Sequence, residues 1–223
     1  MTLKIDKIIR SKRKTIALQV TDDATLIVRA PFDVSEETIK KVVTKHIRWI
    51  EKKKNEVLTR DPHFAKKEFV NGEGFLYLGK SYQLYIVNEQ DTPLKFNNGF
   101  FLLRDYQPMA RQLLISWYKE RAYEKISERV QWYAQKRGFT YNKISITNAN
   151  VRWGSCSHRG NLNFSWRLIM APLSVIDYVV VHELAHLEQK NHSKAFWNIV
   201  KMLMPNYENS RDWLKNNGYL LRL

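Results

Sequence analysis

The stretch Val175-Ile176-Asp177-Tyr178-Val179-Val180-Val181-His182-Glu183-Leu184-Ala185-His186-Leu187 constrains the chain more than any other. Ile176, Val180, Leu184 and Leu187 recur at helical spacing and an apolar run precedes the histidines, so the segment is predicted as a buried helix beginning near Ser174. Such a helix must find partners for its imidazoles and carboxylate, because an unpaired polar group in an apolar core costs roughly a few kcal/mol. His182 and His186 differ by about 40° around the axis and about 6 Å along it, so both rings can reach one ion. Glu183 is turned about 100° from His182, where it can reach a water on that ion without being a ligand. HExxH therefore reads as a metal site in which the ion polarises water and Glu183 takes the proton.

A catalytic zinc site needs three protein ligands and an open fourth position. Cys156 is the only cysteine, so His or carboxylate must supply the third. His192 lies six residues past His186, about 240° round a continued helix, and can join only if the helix stops first. Lys190-Asn191 is the expected break, because Asn tolerates the left-handed conformation of a helix end. The spacing matches the metzincin signature except that Gln189 stands at its glycine, and no later Met-turn is evident. Glu208, from a later helix, is the rival ligand. His192 is preferred on spacing and on the ligand preference of zinc. His46 and His63 sit in polar surroundings and are expected at the surface.

Arg152-Trp153-Gly154-Ser155-Cys156-Ser157 opens the loop before the alternating segment Asn161–Trp166. Arg152 is a candidate for binding a substrate anion or stabilising oxyanion charge, and the Asn161–Trp166 strand for offering its edge to an extended peptide. Gly154 is expected to permit a tight turn, Trp153 to be core, and Cys156 to be a small buried apolar residue.

The rest of the chain divides by period. Residues 15–28 read as a β-hairpin turning at Thr21–Ala24. Asp33 and Glu36 resemble a capping box, and Ile39, Val43, Ile47 and Ile50 predict one basic amphipathic helix over about 35–57. Phe75–Leu78, Gln83–Val87, Leu94–Phe96 and Phe100–Leu103 read as short antiparallel strands. From Pro108 the spacing becomes helical and stops at Gly138; Ile144 and Ile146 then mark another strand, and a last helix is expected over about 193–204. The fold class is α+β, with a β-rich amino-terminal region over residues 1–105 and a second domain over 106–223. Trp49, Trp117 and Trp132 fall among apolar neighbours and are expected in the core.

The net charge is +15, and it is not confined to a tail: residues 1–105 carry 20 basic and 14 acidic side chains, residues 106–223 carry 17 and 8. This favours anionic partners, so nucleic acid contact through the basic surface is a candidate, as is a nucleotide substrate. No apolar run is long enough for a membrane span and the first residues lack a signal-peptide stretch, which predicts a cytoplasmic protein.

Residues 151–197, in which RWGSCS is followed by HELAHL and NHSKAFW, resemble the YgjP-like family of zinc metallopeptidases, relatives of SprT-like proteins and of the wider zincins. RSKRKTIALQV and VRAP near the amino terminus are similar to that family's opening segment. The resemblance implies a zincin-like catalytic core, with His182, His186 and His192 on Zn2+ and Glu183 as general base. The leading expectation is a zinc-dependent peptidase acting on peptides or proteins. The alternatives are a metal-dependent nucleoside triphosphate pyrophosphohydrolase and a basic nucleic-acid-binding module with structural zinc.

Overall fold

The structure, a computed structural model, describes residues 4–21, 23–59, 67–150 and 152–223; His63 lies outside them. The chain forms two compact units, Met1–Ala65 and Lys66–Leu223.

In the first unit the expected hairpin is strands β2 (Ala17–Val20) and β3 (Leu26–Ala30), paired antiparallel, with Ala24 in the left-handed region of the turn. A strand not anticipated, β1 (Lys7–Arg10), adds parallel to the other edge of β3. Leu26, Val28 and Ala30 project from one face of β3 and are buried with Ile39, Val43 and Ile50. The predicted single helix is two, α1 (Glu36–Lys45) and α2 (Ile47–Leu58), interrupted at His46. Its cap is Ser35, whose hydroxyl accepts from the Thr38 amide at 3.2 Å, rather than the Asp33–Glu36 pair. Trp49 is 42% exposed, a correction to its expected burial: only Ile50 of α2 is buried.

The second unit opens with a four-stranded sheet of β4 (Gly74–Tyr77), β5 (Lys80–Val87), β6 (Leu94–Phe96) and β7 (Phe100–Leu103), in the order β4-β5-β7-β6. The expected antiparallel run is corrected at one place: β5 and β7 pair parallel, because β7 inserts between β5 and β6. Leu78 and Gly79, both with positive φ, form the two-residue turn between β4 and β5. Their amides donate to the carbonyls of Ile169 and Met170 at 2.8 and 3.1 Å, just ahead of the helix that carries the HExxH motif.

Helix α3 (Ala110–Arg137) ends at Gly138, whose φ of 76° gives the left-handed cap expected there. Leu114, Tyr118, Ala122, Ile126, Val130 and Ala134, four apart, form its buried stripe. They share one core with Phe75, Leu84, Phe100 and Leu102 of the sheet and with the later helices. The change of period near residue 105 is therefore internal to a compact unit, and the division falls at residue 65 instead. Trp117 packs against that core, whereas Trp132 lies off the buried stripe, 44% exposed, with Lys136 and Arg129 cations 4.4 and 4.8 Å from its ring.

A second sheet has the order β8-β10-β9, from β8 (Lys143–Thr147), β9 (Gly154–Cys156) and β10 (Asn161–Ser165). β10 pairs parallel with β8 and antiparallel with β9, so it is central and offers no edge; the edges belong to β8 and to β9, the latter inside the segment read as a loop. A 3-10 turn over Trp166–Met170 and the Ala171-Pro172 break lead into α4 (Leu173–Glu188), followed by α5 (Lys194–Leu203) and α6 (Tyr207–Asn217). The Arg129 guanidinium of α3 grips Asp177 of α4 through two hydrogen bonds of 2.5 and 3.0 Å, which ties the motif helix to the long one. Among the described residues, no helix is long and apolar enough to cross a membrane.

Candidate metal centre

Helix α4 is apolar nearly all round, with Val175, Ile176, Val179, Val180, Val181, Leu184 and Ala185 buried. It holds His182 and His186 on one face, one turn apart. The helix ends at Glu188 because Gln189 turns to an extended conformation, φ −121° and ψ 108°. This corrects the expected break at Lys190-Asn191: Asn191 is not left-handed. The turn has a consequence for the site. The Gln189 carbonyl comes to 2.9 Å from His186 Nδ1, which fixes that nitrogen as the donor and leaves Nε2 as a free lone pair. Lys190 Nζ donates to the His186 carbonyl at 2.8 Å, closing the helix end.

The chain then swings back before the Ser193 cap of α5 and brings His192 to the other two imidazoles. Its Nε2 is 3.1 Å from His182 Nε2, and the ligand nitrogens of His182, His186 and His192 all lie within 4.8 Å of one another. Two nitrogens each about 2.05 Å from one ion at a tetrahedral angle stand roughly 3.3 Å apart, a spacing the His182–His192 pair approaches. Glu208, the rival ligand, is not in this group. Burial and the neighbouring rings push His182 down to about 4, and burial lowers His186 as well, so both are neutral and able to ligate. His182 Nδ1 is buried without a hydrogen-bond partner, and packing holds its ring instead.

That packing comes from Phe196, which the sequence reading did not single out. Its fully buried ring lies 4.9, 4.6 and 4.8 Å from the centroids of His182, His186 and His192. Trp197 stacks on His192 at 5.9 Å. Both are in NHSKAFW, so the three imidazoles and their packing come from two short stretches.

Glu183 is 5% exposed. Burial raises its carboxyl to about 8, against the pull of the Arg152 charge and a hydrogen bond from the Cys156 amide. Contrary to expectation, Gly154 serves no tight turn but lies in β9 against this carboxylate: a Cβ there would stand 2.5 Å from Glu183 Oε1. Cys156 is partly buried, and burial raises its thiol, which keeps it protonated. Arg152 is exposed and lines a polar recess of about 150 Å³ with Thr147, Ser155 and Asn163; its charge reaches Glu183 from there.

A larger cavity of about 330 Å³ opens directly on His182 and Glu183. Trp153 and Tyr178 line it, together with Arg211, Leu214 and Lys215 of α6. Trp153 is thus partly in the core and partly at the cavity. Arg211 and Lys215 carry no signature in the sequence, since only the folding back of α6 brings them to α4.

A family model described as YgjP-like, metallopeptidase domain, matches residues 14–217. The chain belongs to the YgjP-like family. The crystal structure of the metallopeptidase zymogen of Pyrococcus abyssi abylysin is 19% identical, over 40% of this chain and 93% of that one, with a TM-score of 0.37, a likeness too distant to bear on activity. No curated protein matches the chain.

Proposed function

We propose that this protein is a zinc-dependent peptidase in which His182, His186 and His192 hold the ion and Glu183 is the general base. The observation that carries the reading is the convergence of three imidazoles beside a carboxylate that is buried yet open to a cavity. Membership of a family described by its metallopeptidase domain supports the same chemistry. A divalent ion on these ligands supplies acidification of a water and stabilisation of negative charge at a carbonyl oxygen. Glu183, whose ionised carboxylate the charge of an ion on these ligands would favour against its burial, accepts the water proton and returns it to the leaving amine; its low exposure keeps bulk water from competing for the proton. The edge of β9, Gly154–Cys156, away from β10 pairs with no further strand among the described residues and lies beside Glu183, which accepts from the Cys156 amide; it suits an extended peptide added as a further strand. Arg152 supports catalysis through its charge, which favours the ionised form of Glu183.

A closed structural zinc would need a fourth protein ligand, and the donor group among the described residues holds three. No feature of the described residues favours the nucleotide alternative over a peptide. The test is zinc content by mass spectrometry together with cleavage of a peptide mixture. Wild type and Glu183→Gln are expected to carry near one zinc per chain, with cleavage abolished in the variant, and His192→Ala is expected to lose the metal. Full activity in Glu183→Gln refutes the mechanism, and undiminished zinc in His192→Ala refutes the ligand set.

A further inference from the structure

In the cavity beside His182 and Glu183, the lining joins aromatic and apolar side chains, Trp153, Tyr178, Val179 and Leu214, to two cations, Arg211 and Lys215. These stand four apart on α6, so they project from the same face of the helix. Lys215 has no ion-pair partner among the described residues. Arg211 has only its neighbour Asp212, at 3.7 Å and largely exposed. The Arg211 guanidinium is steadied 5.8 and 5.7 Å from the Trp197 and Tyr207 rings, the former being the ring that stacks on His192. Among the described residues that line the cavity, Glu183 is the one acidic side chain against two basic ones.

We propose that this cavity is the specificity subsite of the peptidase, taking a substrate residue that bears a carboxylate. Trp153, Tyr178 and Leu214 pack on the residue's methylenes, and Arg211 with Lys215 binds its charge. The inference rests on the peptidase reading and names its substrate class. A carboxylate fits better than a phosphate chain. The cavity is bordered by the middle of α4 and by α6 from Arg211 onward, beyond its first turn, so neither helix presents the N-terminal amides that cradle phosphates. The carboxylate can be a side chain or the end of the peptide, and the two sources are separable by blocking the terminus.

The test measures binding, so it does not depend on turnover. Zinc-loaded Glu183→Gln protein is titrated calorimetrically with acetylated, amidated alanine peptides carrying Glu or Gln at one position. A third set carries neutral side chains and a free carboxyl terminus. The acidic peptide is expected to bind about tenfold tighter than its Gln twin, the yield of two partly exposed ion pairs, and the advantage should fade at high salt. If the terminus is the source, the advantage falls to the free-ended set instead. Arg211→Ala/Lys215→Ala should erase it, and Arg211→Glu/Lys215→Glu should invert it toward Lys peptides; circular dichroism verifies folding of each variant. Equal affinities within every pair, or no binding of any peptide, overturn the proposal. So does an advantage that survives the double substitution. Tight, Arg211-dependent binding of inorganic triphosphate with no carboxylate preference assigns the cations to phosphate instead. Cleavage by Glu183-intact protein is scored separately: carboxylate preference without cleavage sinks the peptidase reading alone, and cleavage without preference sinks the subsite alone.

Discussion

Replacing Gly154 by alanine adds one carbon at the place where β9 runs past the carboxylate of Glu183. That carbon would stand 2.5 Å from Oε1, 2.6 Å from Cγ and 2.8 Å from Cδ of Glu183. Heavy atoms in good contact keep about 3.5–4.0 Å apart, so the carboxylate must withdraw by roughly 1 Å. Glu183 is 5% exposed and the β9 backbone is paired to β10, so neither side yields freely. Overpacking of this kind costs about 1–3 kcal/mol of stability. The rate should suffer more, because displacing a positioned catalytic group by about 1 Å costs on the order of 100-fold. The three nearest atoms to the added carbon all belong to Glu183 and none to a histidine, so zinc content should hold. Zinc per chain, thermal unfolding and the initial rate of peptide cleavage, compared between wild type and Gly154→Ala, separate these effects. The expected outcome is a folded, zinc-loaded protein with cleavage reduced about 100-fold. A wild-type rate from such a protein would refute the claim that the close approach of β9 sets the position of the base.

Asp177→Asn keeps the shape of its side chain but leaves the Arg129 guanidinium without a countercharge between α3 and α4. The side chains are 17% and 12% exposed, so the loss should be about 2–3 kcal/mol, somewhat below that for breaking a fully buried pair. Denaturant unfolding should show it as a lower midpoint, and an unchanged midpoint would mean the pair is not holding the helices together. In the first unit, the Leu26 amide and then Lys54 hold the Asp6 carboxyl below its usual 3.8, against partial burial. A depressed folded-state value means stability that is present above about pH 4 and lost as pH falls through the lowered value. Asp6→Asn should therefore flatten the acid limb of the Tm profile below pH 3.8, and parallel profiles for variant and wild type would contradict this assignment.

Local pattern was legible where one element decides the outcome. The period of Val175–Leu187 marked a buried helix with two histidines on one face, and the Gly138 cap ended α3 where the spacing stopped. Readings failed where a neighbour decides. Trp132 has apolar neighbours in sequence, yet it faces outward because the buried stripe of α3 passes through Val130 and Ala134. The Asn161–Ser165 strand was a candidate edge, but alternation reports only which face is buried, and β8 and β9 pair on both its sides. Gly154 read as a turn residue, since nothing in its own neighbourhood announces Glu183, which lies far along the chain.

By itself, the sequence determined the chemistry available to this protein. The motif supplies two imidazoles, the lone cysteine excludes a cluster of cysteine ligands, and helical geometry alone aligns His182 with His186 while turning Glu183 aside. Tertiary structure decided which further groups meet them. His192 joins through the extended turn at Gln189, Phe196 packs against all three rings, and Arg211 and Lys215 reach the cavity because α6 folds back on α4. The physical reason is range: a hydrogen-bonded helix fixes neighbours within a turn or two, whereas contacts between helices are chosen by burial of whole faces, which no short stretch of sequence encodes.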